Sequence, residues 1–174
     1  ICILVVVVGW LSYVQFPDAP IFAFIHPQKK SKTMKVDVSS VLAQKKELVE
    51  LIEDEGPQQA YEVFLESYRA SHFGIQHTMA HIMGELLFET QGLEGLKICD
   101  SSFAFGCYHS FFGRAVAEHG ISILPRLDRA CIEKFGPLGS GCQHGIGHGV
   151  IEYFGHDEAG LIGALDACKD TTQA

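Results

Sequence analysis

Two segments of the chain share the pattern H-x-x-x-H-x-x-x-E, and this repetition restricts the fold more than any other feature. The residues are His77, His81 and Glu85 in the first segment and His144, His148 and Glu152 in the second. On an α-helix, residues four apart lie on one face, with Cβ atoms about 5–6 Å apart. Each segment therefore predicts a helix that carries two imidazoles and a carboxylate along a single stripe. Two such helices facing each other would bring the imidazoles to one metal site.

Histidines and cysteines recur along the chain at a period that is typical of stacked helical hairpins. The recurring positions are His77, His109 and His144 together with Cys99, Cys131 and Cys168, with neighbouring copies 32–37 positions apart. We therefore predict an all-α fold containing about three helical-hairpin repeat units, each of 32–37 residues. The copies are not equivalent, because the middle one has His109 but then Gly113 and Ala117 in place of the second His and the Glu.

The first residues of the chain, 1–16, are almost wholly apolar and predict a transmembrane helix or a signal anchor. A helix needs about 20 apolar residues to cross a bilayer. Because this run is shorter, and because the repeat that Cys168 would open is cut off, we expect the chain to be a piece of a longer protein, cut at both ends. A buried Val-rich strand and the apolar region of a signal peptide remain as alternatives. Residues 17–35 are predicted to form a Pro- and Lys-rich linker, and residues 36–174 a His- and Cys-rich helical repeat domain.

Four of the cysteines predict two disulfide bonds, Cys99 with Cys107 and Cys131 with Cys142. Each bond would join the end of one helix to the start of the next, and closing such short loops stabilises a fold by about 2–3 kcal/mol. Regular pairing favours an oxidising compartment, whereas the lysine patch at 29–35 favours a cytoplasmic domain by the positive-inside rule. We give the cysteines more weight and predict a single-pass membrane protein with its domain in the periplasm or extracellular space. The alternative is that reduced thiols act as metal ligands in C-x-H pairs.

The paired histidines indicate a transition-metal site. The predicted ligands are His77, His81, His144 and His148, with His109 as a fifth contributor. Imidazole nitrogens bind zinc, iron and copper, so the identity of the metal stays open. Glu85 and Glu152 are predicted to act as further ligands or as catalytic proton-transfer groups. The motifs H-E-x-x-H and C-x-x-C-H are absent from the sequence, which argues against a zincin protease and covalently attached haem.

Three glycines, Gly145, Gly147 and Gly149, surround the second pair of histidines. Glycine within a helix costs about 1 kcal/mol relative to alanine, so these positions require a compensating reason. Close packing of another helix would supply one, and so would the approach of a cofactor or substrate to the bare backbone.

Two functions fit these patterns. The first is a membrane-anchored, extracytoplasmic metalloprotein that catalyses hydrolysis or oxidation of a small-molecule substrate. The second is a non-enzymatic helical-repeat scaffold that binds a protein partner, with the histidines in structural roles. The net charge of -8 argues against nucleic acid as the main partner. The isolated histidines are interpreted as core or surface residues; these are His26, His72, His119 and His156.

Overall fold

The computed structural model describes residues 41–137, 140–169 and 171, and most of these residues lie in helices. The α-helices are α1 Val41–Glu55, α2 Pro57–Tyr68, α3 Phe73–Gln91, α4 Gly106–His119, α5 Leu124–Phe135, α6 Ser140–Phe154 and α7 Glu158–Cys168. Short 3₁₀ segments, Gly92–Lys97 and Ile121–Ile123, precede α4 and α5. No strand occurs among the described residues, which confirms the all-α prediction for this part of the chain.

All of these residues belong to one structural unit, Lys32–Ala174. The predicted transmembrane segment at 1–16 and the predicted linker at 17–35 lie outside the described residues. Within the described part, no helix combines the length and the apolar character that a membrane span requires.

The ends of the early helices follow from local backbone chemistry. Gly56 separates α1 from α2 with a φ of 81°, a conformation that side chains with a Cβ rarely adopt. Pro57 then opens α2, where its fixed φ suits the first helical position and its missing N–H is not needed. Gly92 ends α3 in the same way, with a φ of 56° and its N–H donating to the Phe88 carbonyl.

Helix α4 packs against both α3 and α6 and forms the centre of the described fold. Its aromatic residues Phe111 and Phe112 are fully buried at these contacts. The three helices approach at glycines: a Cβ on Gly84 of α3 would collide with the Cys107 carbonyl oxygen, and one on Gly149 of α6 would lie 2.8 Å from the Phe112 carbonyl carbon. The backbones therefore meet closely enough for short imidazole side chains to reach one another between helices.

The glycines of α6 have different surroundings. A Cβ on Gly145 would lie 2.8 Å from the Tyr108 Cβ, so this glycine, like Gly149, makes room for α4. A Cβ on Gly147 would meet no atom within 4 Å. Helix packing thus accounts for two of the three glycines, and the third faces open space.

Both predicted disulfides are present, Cys99–Cys107 and Cys131–Cys142, each with Cα atoms 5.6 Å apart. Cys107 lies in the first turn of α4 and Cys142 in the first turn of α6, in each case two residues before a histidine. The bonds tie the starts of α4 and α6 to the parts of the chain that precede them, whereas α3 has no such bond. The four sulfurs are therefore bonded in two pairs and are not thiolate ligands.

Candidate metal centre

Five histidines come together where α3, α4 and α6 pack. His77 and His81 lie on α3, His109 on α4, and His144 and His148 on α6. They form two groups in which one ring nitrogen per residue lies within 4.8 Å of the others. We call His77, His81 and His109 the first trio, and His109, His144 and His148 the second trio. His109 belongs to both.

The spacing of the nitrogens in the first trio suits a single metal ion. His81 Nε2 lies 3.1 Å from His77 Nε2 and 3.3 Å from His109 Nδ1. Nitrogens bound tetrahedrally to one zinc ion, each about 2.0–2.1 Å from the metal, lie roughly 3.3 Å from one another. Two of the nitrogen–nitrogen separations in the first trio therefore already match those of ligands on one ion.

Two outer contacts orient the histidines of α3. His77 Nδ1 lies 2.8 Å from the Phe103 carbonyl oxygen. A carbonyl only accepts hydrogen bonds, so Nδ1 carries the proton and Nε2 keeps the lone pair that faces the trio. The Ser110 hydroxyl lies 2.9 Å from His81 Nδ1 and can either donate or accept. Metal-binding histidines commonly hold their other ring nitrogen in this way.

The Phe103 carbonyl is presented by an unusual turn. Phe103, Ala104 and Phe105 have φ values of 51°, 55° and 63°, the left-handed region. This conformation costs a residue other than glycine about 1–2 kcal/mol. The Phe103 ring packs edge-on against the buried Phe64, at 5.6 Å between ring centroids, and the Cys99–Cys107 disulfide spans the turn. Backbone strain of this kind persists where the surroundings fix it, and here it supports His77.

The second trio is more open to solvent. His144 Nε2 and His148 Nε2 lie 2.9 Å apart, and both side chains are exposed. The His109 ring lies 4.2 Å from the His148 ring and 5.6 Å from the His144 ring, measured between centroids. His109 Nε2 is buried and has no hydrogen-bond partner among the described residues. One face of the cluster is thus enclosed while the other is accessible.

The environment keeps the central imidazoles neutral. Burial, followed by the neighbouring imidazoles, lowers the pKa of His109 to about 4. The same causes, burial first, lower the pKa of His81 and of His148. These histidines therefore carry no charge at pH 7, and neutral imidazole is the form that binds metals.

The two predicted carboxylates lie outside the trios. Among the described residues, neither Glu85 nor Glu152 belongs to the groups of converging ligand atoms. The Glu85 carboxylate pairs instead with Lys45 of α1 at 3.3 Å and with the Arg114 guanidinium at 3.8 Å. Glu85 thus sits among cations that the H-x-x-x-H-x-x-x-E pattern did not indicate.

Both carboxylates line one cleft, whose volume is about 260 Å³. Ser110 and Arg114 of α4 line the same cleft. A Cβ on Gly113 would lie 2.8 Å from Glu152 Oε2, so the glycine makes room for that carboxylate. Because the Ser110 hydroxyl also contacts His81, the cleft begins directly beside the first trio.

The remaining histidines of the described part lie away from the cluster. His72 accepts a hydrogen bond from the Gly74 N–H at 3.2 Å and caps the start of α3. His119 and His156 are exposed, and His26 lies outside the described residues. Sequence reasoning separated these isolated histidines from the paired ones but gave no role to Ser110 or the Phe103 carbonyl. The position of Ser110 next to His109 is the signal that could have indicated the serine, and the sequence holds no comparable signal for the Phe103 carbonyl.

The donor set is made of imidazole nitrogens, which suit zinc, copper and iron. The histidine clusters of the described part could therefore hold a metal ion. The two disulfides are compatible with an oxidising compartment outside the cytoplasm. No family model, curated protein or solved structure matches the chain.

Proposed function

We propose that this chain is an extracytoplasmic metal-binding protein whose functional centre is the five-histidine cluster. The observation that carries the proposal is the convergence of ring nitrogens from α3 and α4 at 3.1–3.3 Å. At these distances the N–H of one neutral imidazole can donate to the lone pair of the next, and a bound cation would take the place of that proton with the nitrogens as its ligands. Outer contacts to His77 and His81 support the same proposal, because they hold the rings in orientations suited to a ligand.

The polar cleft beside the first trio supports a catalytic role. Three histidine ligands leave a fourth position on a tetrahedral metal ion for water or substrate. Glu85 and Glu152 line the cleft together with Arg114, so a small polar substrate would meet both a cation and carboxylates there. We propose metal-assisted hydrolysis, in which a carboxylate accepts the proton of the attacking water. Oxidation is the alternative if the bound ion is copper or iron.

We propose the same location and architecture that the sequence predicts. Residues 1–16 would anchor the chain in a membrane, and the disulfides would form outside the cytoplasm. The helices α4 and α6 support a repeat architecture, because each begins with a disulfide-bonded cysteine two residues before its first histidine. At the corresponding position of α3 the residue is Ile75, so that unit would be a variant without the disulfide.

Metal analysis of the purified chain tests the proposal. The wild-type chain should bind zinc or copper after stripping and reloading, and the His81→Ala variant, which loses a ligand of the first trio, should bind clearly less metal. His156→Ala is the matched control, because this exposed histidine lies outside both trios and its removal should leave the metal content unchanged. Equal metal in the wild type and in His81→Ala, or none in either, would contradict the proposal.

A second candidate is a scaffold that binds a protein partner. The feature that favours it is the outer face of α7, where Leu161, Ile162 and Leu165 are exposed, Ile162 at 62% and Leu165 at 64%. Large apolar side chains grouped on one exposed face often mark an interaction surface. A chain that binds no metal but associates through this face would support the scaffold, and Leu165→Lys would then weaken the association.

A further inference from the structure

We propose that His109 bridges two metal ions as an imidazolate, with one ion held by His77 and His81 and the other by His144 and His148. The inference rests on the proposed function and extends it from a metal site to a dinuclear centre.

The first support is the position of the two nitrogens of His109. Its Nδ1 lies 3.3 Å from His81 Nε2 and thus faces the first trio. Its Nε2 is buried and has no hydrogen-bond partner among the described residues. A buried polar nitrogen without a partner carries a free-energy cost that a metal ion would remove. The His109 ring also lies against His148, so the second trio is the nearest source of such an ion.

The second support is the number of histidines on each helix. Helix α4 packs between α3 and α6 and supplies one histidine to the cluster, His109. Each outer helix supplies an i,i+4 pair, which can hold one ion. One shared residue between two pairs gives each ion three nitrogen ligands and leaves a fourth position open. A bridge therefore explains why α4 needs only His109, while Gly113, one turn later, leaves room for Glu152.

The balance of the binding step is simple. The nitrogen of neutral His109 that has a free lone pair would bind one ion; the other nitrogen carries the N–H proton and would bind the second ion only as that proton leaves to solvent. No electron is transferred, and the resulting imidazolate places a negative charge between the two cations. A proton should therefore be released as His109 becomes a bridge.

Copper(II) is the probe for the test, because its unpaired electron reports coupling between ions. A metal-free chain titrated with copper should bind about two equivalents, with an electron paramagnetic resonance signal that grows and then falls as the second ion binds. The fall is expected because an imidazolate bridge couples the two spins antiferromagnetically. The His144→Ala, His148→Ala double variant should bind about one equivalent and keep the full, uncoupled signal. The His156→Ala control should behave as the wild type.

The outcomes separate this inference from the proposed function. No copper binding by the folded wild type, with folding checked by circular dichroism, would overturn both. Binding of a single ion, or of two ions with the full signal of uncoupled spins, would contradict the proposed bridge but not the proposed metal-binding function. Since the wild type gives the decisive measurement, the result does not depend on whether the variants fold.

Discussion

The hydroxyl of Ser110 allows a direct test of how the proposed metal centre would be held. Its oxygen lies 2.9 Å from His81 Nδ1, on the side of the ring away from His77 and His109. Substitution Ser110→Ala removes this contact without removing a ligand. Loss of a hydrogen-bond partner behind a metal-binding histidine typically costs about 10–100-fold in metal affinity. We expect a loss in that range, which corresponds to about 1.4–2.7 kcal/mol of binding free energy.

The same substitution should hardly change the stability of the metal-free fold. A lost hydrogen bond costs about 1 kcal/mol, and alanine regains roughly 0.5 kcal/mol through its helix propensity at this position in α4. Urea unfolding of the metal-free chain should therefore shift only slightly. A purely structural role for Ser110 would instead lower the stability without a separate effect on metal affinity.

Competition with a zinc chelator of known affinity measures the binding constant. Ser110→Thr keeps a hydroxyl at this position and should restore most of the affinity. Ser122→Ala is the matched control, because that hydroxyl donates to the His119 carbonyl, far from the trios. Unchanged zinc affinity in Ser110→Ala would refute the reasoning, as would an equal loss in Ser122→Ala.

Further predictions concern packing, pH and the disulfide. Gly84→Ala should destabilise the fold by roughly 1–3 kcal/mol in thermal unfolding, since the new Cβ would collide with the backbone of α4. Gly147→Ala, which faces open space, should instead stabilise it by up to about 1 kcal/mol. In the unfolded chain His109 has its usual pKa of about 6.5, whereas in the folded chain its pKa is about 4, so between these pH values the unfolded chain binds more protons. Stability of the metal-free protein should therefore rise with pH across this window, and urea midpoints should show a shallower rise in His109→Gln. The Cys99→Ser, Cys107→Ser variant should lose roughly 2–3 kcal/mol of stability. It should also lose part of its zinc affinity, because the turn whose Phe103 carbonyl contacts His77 is no longer held by the disulfide. Unchanged zinc affinity would contradict this expectation.

Features with local causes could be predicted from the sequence. The break at Gly56-Pro57 depends on two adjacent residues, and the end of α3 at Gly92 depends on one. The disulfides follow from cysteines placed at neighbouring helix ends. The i,i+4 pair His77 and His81 faces one way because helix geometry requires it.

Features that depend on packing between helices could not be predicted. His109 was expected to be a fifth contributor, yet it belongs to both trios because α4 packs against both α3 and α6. Glu85 was expected to be a ligand or catalytic group, and its ion pairs with Lys45 and Arg114 could not be read from the sequence because they depend on neighbouring helices. No residue type in the Phe103–Phe105 turn indicates left-handed backbone, since glycine and asparagine are absent there.

The unequal exposure of the histidines has a kinetic consequence. His144 and His148 are open to water, whereas His77 and His81 are half-buried beneath α4. An ion on the outer pair would exchange with a chelator in solution directly, while an ion on the inner pair would leave only after side chains move apart. Brief treatment with a chelator should therefore give a partially loaded protein, and the rate of metal removal should have two phases.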